Sequence, residues 1–366
     1  MDRPMTSLGV VRLIEKYWVV VALSLIVAAV ILGAEATRND DVIVIVDEML
    51  IRMTVVVATY IFIGNSGVLS FGHIAFMCIG AYAAGWASCE PSWKQLMLTG
   101  LPEFLQDNQY PFIVSVAGAG ALAAVVALIF GAAVIRMSGV AASIATFAFL
   151  AIVNSVYSNW ETVTAATSSV IGIPTVSSPW IFFTFAVFAM VCAFLFQESR
   201  YGLMLRASRD DEVAARSSAI NIGRVRLIAF VLSAFLVGLG GGLYAHFLGV
   251  LTVDVFYINL TFVTLSMLIV GGVGSLSGAV FGVLVVTLIV EALRVLEGGL
   301  SIGSVSVQLP KGFQEIGLGL MMALILIFRP GGLTRGREIS FPWRTRSPNL
   351  QSRAARGSSA PVAGGG

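Results

Sequence analysis

The sequence predicts an all-α polytopic integral membrane protein with about ten transmembrane helices and both termini cytoplasmic. Three observations carry this. Of 366 residues, 57% are apolar and only 11% charged; apolar runs long enough to span a bilayer recur along the chain; and the basic residues fall in segments of one parity. A soluble domain carries roughly 25% charged residues, so 22 basic and 20 acidic side chains cannot coat a water-soluble body of this size.

The ten apolar runs, in order, are Tyr17 to Ala34, Val42 to Ile63, Gly72 to Ala87, Phe112 to Val134, Val140 to Tyr157, Trp180 to Phe196, Val225 to Phe247, Tyr257 to Gly271, Ser277 to Leu293 and Phe313 to Phe328. With the N-terminus (residues 1–16) inside, seventeen of the 22 Lys and Arg lie in inside segments, including six from Arg200 to Arg226 and seven from Arg329 to Arg356. Only Arg38, Lys94, Arg294 and Lys311 lie outside. An odd number of spans would destroy that asymmetry. The net charge of +2, with its basic residues so placed, points to orientation in a lipid bilayer and away from nucleic acid.

The first run follows a basic start and ends at Ala34-Glu35-Ala36, which is cleavage-site-like, but its length favours an uncleaved anchor. Two stretches read as extramembrane. Residues 88–110, outside, hold Glu90, Glu103 and Asp107 against Lys94 and form a small cap. Residues 331–366 form a basic tail, rich in Ser, Ala, Gly and Pro, with too little apolar content to fold alone.

Cys78, Cys89 and Cys192 form no CxxC, and His73 and His246 lie far apart, so neither a disulfide framework nor a metal site is expected. There is no GxxxxGK(S/T) phosphate loop, no HExxH and no paired carboxylates in a span, so no catalytic residue and no cofactor is assigned.

Three polar or glycine-rich segments carry the functional signal. The first is residues 198–224, with ESRYGLMLRASRDDEVAARSSAINI at its heart. Ser208-Arg209-Asp210-Asp211 matches a capping box, Asp210, Asp211 and Glu212 suit the positive end of a helix, and Glu212 and Arg216 stand four apart. A cytoplasmic helix over Arg209 to Ser217 follows, and a cap, a matched first turn and an ion pair together favour partner docking over a plain solvated loop.

The second segment is Gly64 to Tyr82, GNSGVLSFGHIAFMCIGAY. Its glycines free the backbone, and Asn65, Ser66, Ser70 and His73 can bond the groups so exposed. A broken helix beside a transport pathway and a tight turn at the membrane surface account for it equally well. His73 reads as a backbone cap in preference to a proton carrier. The third is Leu268 to Gly282, where Gly274, Gly278 and Gly282 recur every four residues, as do Gly238 and Gly242 earlier; close helix packing explains both sets better than a hinge. Glu48 and Arg52 are i,i+4 neighbours, and Asp47 reads as a membrane-surface residue.

These three segments, with the closing FRPGGL at Phe328 to Leu333, resemble the permease subunits of branched-chain amino acid ABC importers, in the branch with the longer chain. The resemblance covers about Ile63 to Leu333. It implies an inner-membrane permease that works with a second, homologous permease, two cytoplasmic ABC ATPase subunits and a periplasmic amino-acid-binding protein. Carried over by position, Arg209, Asp210, Asp211, Glu212, Val213, Ala215 and Arg216 would form the coupling helix seated in an ATPase subunit. The chain departs from the family at Ala219, where a helix-ending glycine is usual, so the helix is expected to run on by a turn. A urea or short-chain amide importer permease has the same plan. An ion-driven secondary transporter would need an intramembrane carboxylate relay that this sequence lacks.

Overall fold

The computed structural model describes residues 5–338 except 135, 136, 138, 299, 303, 304, 308, 309, 311, 330 and 337; for 5–16, 300–302, 305–307 and 326 the backbone alone is described. Arg136, one of the basic residues counted as inside, and most of the expected tail, residues 339–366, lie outside the described residues. The chain has two units. The smaller takes Met1–Val19 and Ile339–Gly366, of which 5–19 are helical, and the larger is Val20–Glu338.

The elements are α1 (Met5–Thr37), α2 (Asp40–Ser66), α3 (His73–Ser88), α4 (Pro91–Met97), α5 (Glu103–Gln106), α6 (Phe112–Val134), α7 (Val140–Asn159), α8 (Glu161–Thr164), α9 (Pro179–Glu198), α10 (Arg200–Asp210), α11 (Glu212–Ser217), α12 (Ile222–Leu248), α13 (Ile258–Gly271), α14 (Leu276–Gly298) and α15 (Phe313–Phe328). A 3₁₀ turn, Val253–Phe256, leads into α13, and a short hairpin, β1 (Leu300–Ile302) with β2 (Val305–Val307), follows α14. The fold is therefore almost wholly helical. Among the described residues seven helical stretches are long and apolar enough to cross a membrane. The other three expected spans appear as α2, charged at Asp47, Glu48 and Arg52, and as α3 and α15, each only 16 residues long.

The middle of the larger unit is α12. Its most apolar stretch is 72% buried, against 28% for α1 and α7, and it packs on α2, α3 and α6. Small residues permit this. A Cβ on Gly238 would lie 2.5 Å from Ala123 of α6 and 2.9 Å from the Ala119 carbonyl, and one on Gly241 would collide with the Met77 carbonyl of α3. Gly242 is held almost as closely, 3.1 Å from Ala119. With apolar lipid outside, the hydrophobic effect does not drive helices together, and close backbone approach supplies much of the association energy. Gly278 and Gly282 bring α14 against the end of α13 in the same way, whereas Gly274 precedes α14 and so does not share its face.

At the end remote from Arg200–Arg226, the chain builds a cap from more segments than residues 88–110. Gly100 N–H donates to Thr162, Glu90 N–H to Gly172, and Val170 exchanges backbone bonds with Leu251. Lys94 sits at its centre with no exposed surface. Its ammonium donates to the carbonyls of Leu105 and Asn108, both at 2.6 Å, and of Trp86 at 3.2 Å. Burial pushes this amine below the usual lysine value, while nearby Cys89 opposes the shift.

Candidate functional site

At the basic end the segment between α9 and α12 folds into two helices. Ser199 starts α10, its hydroxyl accepting from Gly202 N–H. Ser208, expected as the N-cap, is buried inside α10 and donates to Leu205. The cap of α11 is Asp211, whose carboxylate accepts from both Val213 and Ala214 N–H at 2.9 and 3.0 Å. A carboxylate is at least as good a cap as serine and also suits the helix dipole, so the single helix expected from Arg209 to Ser217 is divided at Asp211.

The expected extra turn after Ser217 is also absent. Ala214 accepts from Ser218, Arg216 from Ala219 and Ala215 from Ile220, and Ala219 itself takes φ +60°. The chain ends α11 with the left-handed geometry that glycine normally supplies, and alanine bears the strain.

The residues of this pair face two ways. Asp210, Val213, Ala214 and Arg216 are turned outward, with Val213 78% exposed. Ala215 is buried, and Glu212 bridges inward, accepting from Arg216 at 2.7 Å and from Arg226 of α12 at 3.3 Å. The Arg216 bond, chiefly, holds the Glu212 carboxyl below the usual glutamate value, against a smaller desolvation effect. Arg209 lies across the bundle end, donating from Nη1 to the Gly64 carbonyl at 2.6 Å.

Gly64 is where the three segments singled out in the sequence converge. A Cβ there would collide with the Tyr60 ring and lie 2.8 Å from the Val273 carbonyl, in the connection between α13 and α14. Three residues on, Gly67 takes φ +71° to close α2, and a Cβ on it would meet Arg209 Cγ at 2.8 Å. The connection from α2 to α3, residues 67–72, is a turn at the basic end, and α7 holds it: Ser143 donates to the Leu69 carbonyl at 2.6 Å and Phe71 N–H donates to Thr146.

Asn65 and Ser66 at the end of α2, Ser70 in the connection and His73 at the start of α3 are buried and engaged locally. Asn65 donates to Ile61, Ser66 accepts from Val68 N–H, and Ser70 and His73 Nδ1 share a bond of 2.8 Å. His73 therefore bonds a hydroxyl, not the backbone as expected, and its ring packs among Phe62, Phe76 and Phe230. Two adjoining cavities lie beside these residues, the first bordered by Phe71 of the connection itself. One, about 330 Å³, is lined by Phe71, Ser143, Phe147 and Phe262; the other, about 530 Å³, by Asn259, Phe262, Glu315 and Met322. Asp47, expected at the membrane surface, is fully buried and accepts from Ser177 at 3.1 Å.

Sequence reasoning missed Glu338. Within the expected tail, residues 331–336 fold back on the α13–α14 connection: Leu333 and Thr334 N–H donate to Val270 and Gly271. Glu338 then accepts from Leu276 N–H at 2.7 Å and from Ser277 N–H and Oγ at 3.0 and 2.6 Å, capping α14. It also accepts from Gln197, whose side-chain oxygen accepts from Tyr60. The one acidic residue among the arginines of the tail was the available signal, because free N–H groups at a helix start attract a carboxylate.

The chain matches the family model described as "Branched-chain amino acid transport system / permease component" over residues 44–328. It is similar to the high-affinity branched-chain amino acid transport system permease protein LivM of Escherichia coli (strain K12), with 25% identity over 335 residues, 81% of this chain and 69% of that protein. The protein of the same name from Salmonella typhimurium is 25% identical over 308 residues, 74% of this chain and 64% of the relative. The chain thus spans about two thirds of the length of these relatives. No solved structure matches it. A family match that takes in both glycine-bearing connections, the two-helix basic segment and α15 makes this chain a member of the branched-chain amino acid transport system permease family.

Proposed function

We propose that the chain is a permease subunit of an ABC importer for branched-chain, hydrophobic amino acids, multi-pass in a bacterial inner membrane, with the basic end and both termini cytoplasmic. It forms half of the translocation pathway beside a second, homologous permease. Two cytoplasmic ABC ATPase subunits supply ATP hydrolysis, and a periplasmic binding protein delivers the amino acid. The observation that carries this reading is the outward face of α10–α11. A two-helix projection with Asp211 fixing its kink exposes Val213, Ala214, Asp210 and Arg216, a small apolar surface with charges on either side, suited to a groove in a partner. Asp211 and Glu212 hold that face in shape, and Ala215 seats it on the bundle.

Membrane uptake follows from differential contact. A partner that changes shape on binding ATP shifts the bundle only if the docked pair has different contacts in the two states. The relatives' names carry branched-chain amino acids and give no support to the amide-importer alternative. The test is purification of the tagged chain from membranes in mild detergent. ATPase subunits should co-purify, and Val213→Glu with Arg216→Glu should reduce their recovery at least tenfold while leaving the permease in the membrane. A chain that purifies alone and accumulates substrate in liposomes under an ion gradient would refute the reading.

A further inference from the structure

We infer that Arg209 is a positioning residue that transmits movement of the docked helix pair to the α2–α3 and α13–α14 connections, and that Gly64 is the point where this movement arrives. The inference rests on the importer reading and deepens it, because Arg209, grouped above with the docking residues and exposed as they are, also bonds inward to the Gly64 carbonyl.

The argument starts from the two faces of the pair. The docking side of α11 presents Val213 and Arg216, whereas Arg209, at the end of α10, spans 145 residues of sequence to bond the Gly64 carbonyl. That carbonyl belongs to the last turn of α2, at the negative end of its dipole. A guanidinium there makes a charge-assisted bond with a group that the helix itself leaves without a partner. The receiving point is rigid. Gly64 has Tyr60 on one side and the Val273 carbonyl on the other, with no space for a side chain, so a displacement of its carbonyl moves both connections together.

The alignment of the arginine is fixed as well. Its Cγ and Cδ lie against Gly67, whose left-handed backbone leaves room that a Cβ would take. One turn earlier Arg206 bonds the Gln197 carbonyl at 2.7 Å, which ties α10 to the end of its own neighbour α9. Glu212 ties α11 to α12. Of these three side-chain tethers, Arg209 is the one that reaches the end of α2, on which α10 also packs directly, and by way of Gly64 the α13–α14 connection; Arg206 and Glu212 hold the pair to α9 and α12.

The experiment uses the assembled complex, reconstituted in liposomes with its binding protein, and compares wild type with Arg209→Gln. Expected is a fall of tenfold or more in uptake per assembled complex, and loss of the ATP hydrolysis stimulated by substrate-loaded binding protein. Recovery of ATPase subunits should fall less than uptake does, so that uptake per assembled complex is the quantity that separates positioning from docking. Gly67→Ala, which keeps the arginine but takes its space, should give the same separation. Unchanged uptake per complex would overturn the inference. So would a parallel loss of ATPase recovery and uptake in Arg209→Gln, because that is the signature of a docking residue. Absence of ATPase subunits from the wild-type preparation would instead remove the importer reading, and this inference with it, before any variant is made.

Discussion

Ala219 shows how a single residue can record a structural demand that its side chain does not suit. The end of α11 needs a left-handed residue, and alanine there costs about 1 kcal/mol relative to glycine. Ala219→Gly should therefore raise stability by about 0.5 to 1 kcal/mol, measured as the shift in the unfolding transition of the purified protein in detergent. No change, or a loss, would mean that the added freedom of the unfolded chain outweighs the relief of strain. This position also marks a limit of reading from sequence. The absence of glycine suggested that the helix runs on, yet two backbone bonds, Ala219 to Arg216 and Ile220 to Ala215, stop it. Local preference was legible and was overruled by the bonds that turn the chain into α12.

At the scale of elements, the apolar runs gave the long helices to within about five residues, because a bilayer sets their length and composition together, except that α1 begins at Met5, well before the run that starts at Tyr17. The segment was legible as polar and as helical from Arg209 to Ser217, but α10, Arg200–Asp210, was not expected: Ser208 and Asp211 compete for the same cap, and sequence spacing does not say which side chain is buried. Glu338 was beyond reach for a different reason. Composition describes what a segment can bury, and residues 331–338 dock through backbone bonds and one carboxylate. Glu338→Ala should leave Leu276 and Ser277 N–H without their acceptor and cost about 1 to 2 kcal/mol, the range of a lost helix cap. Thermal unfolding in detergent would measure it, and faster amide exchange should appear at the start of α14 before it appears in α12. Uniform exchange would show that the carboxylate is not what holds the α14 end.

For the whole molecule, the sequence gives no hint that the end opposite the basic segment is built from residues far apart. Residues 88–110 were legible as a small extramembrane patch, but their partners Thr162, Gly172 and Leu251 lie beyond several spans. Lys94 holds the centre, and three carbonyls lose their donor in Lys94→Met. These bonds are part-buried and Asn108 is itself exposed, so at about 0.5 to 1 kcal/mol for each bond lost the variant should lose roughly 1 to 3 kcal/mol and become more sensitive to protease added on the side of the cap. Resistance equal to wild type would show that the remaining backbone bonds suffice.

The same arrangement implies an order of manufacture. In the proposed orientation Lys94 needs only Trp86, near the end of α3, with Leu105 and Asn108 just beyond it, and so can close as soon as residues 86–108 have emerged. Gly100 must wait for Thr162 to be exported, and the Val170–Leu251 pairing must wait until the ribosome has delivered α12. In the proposed orientation the cap would fasten from its N-terminal side as the chain is made, its last pairing closing only once α12 is in place.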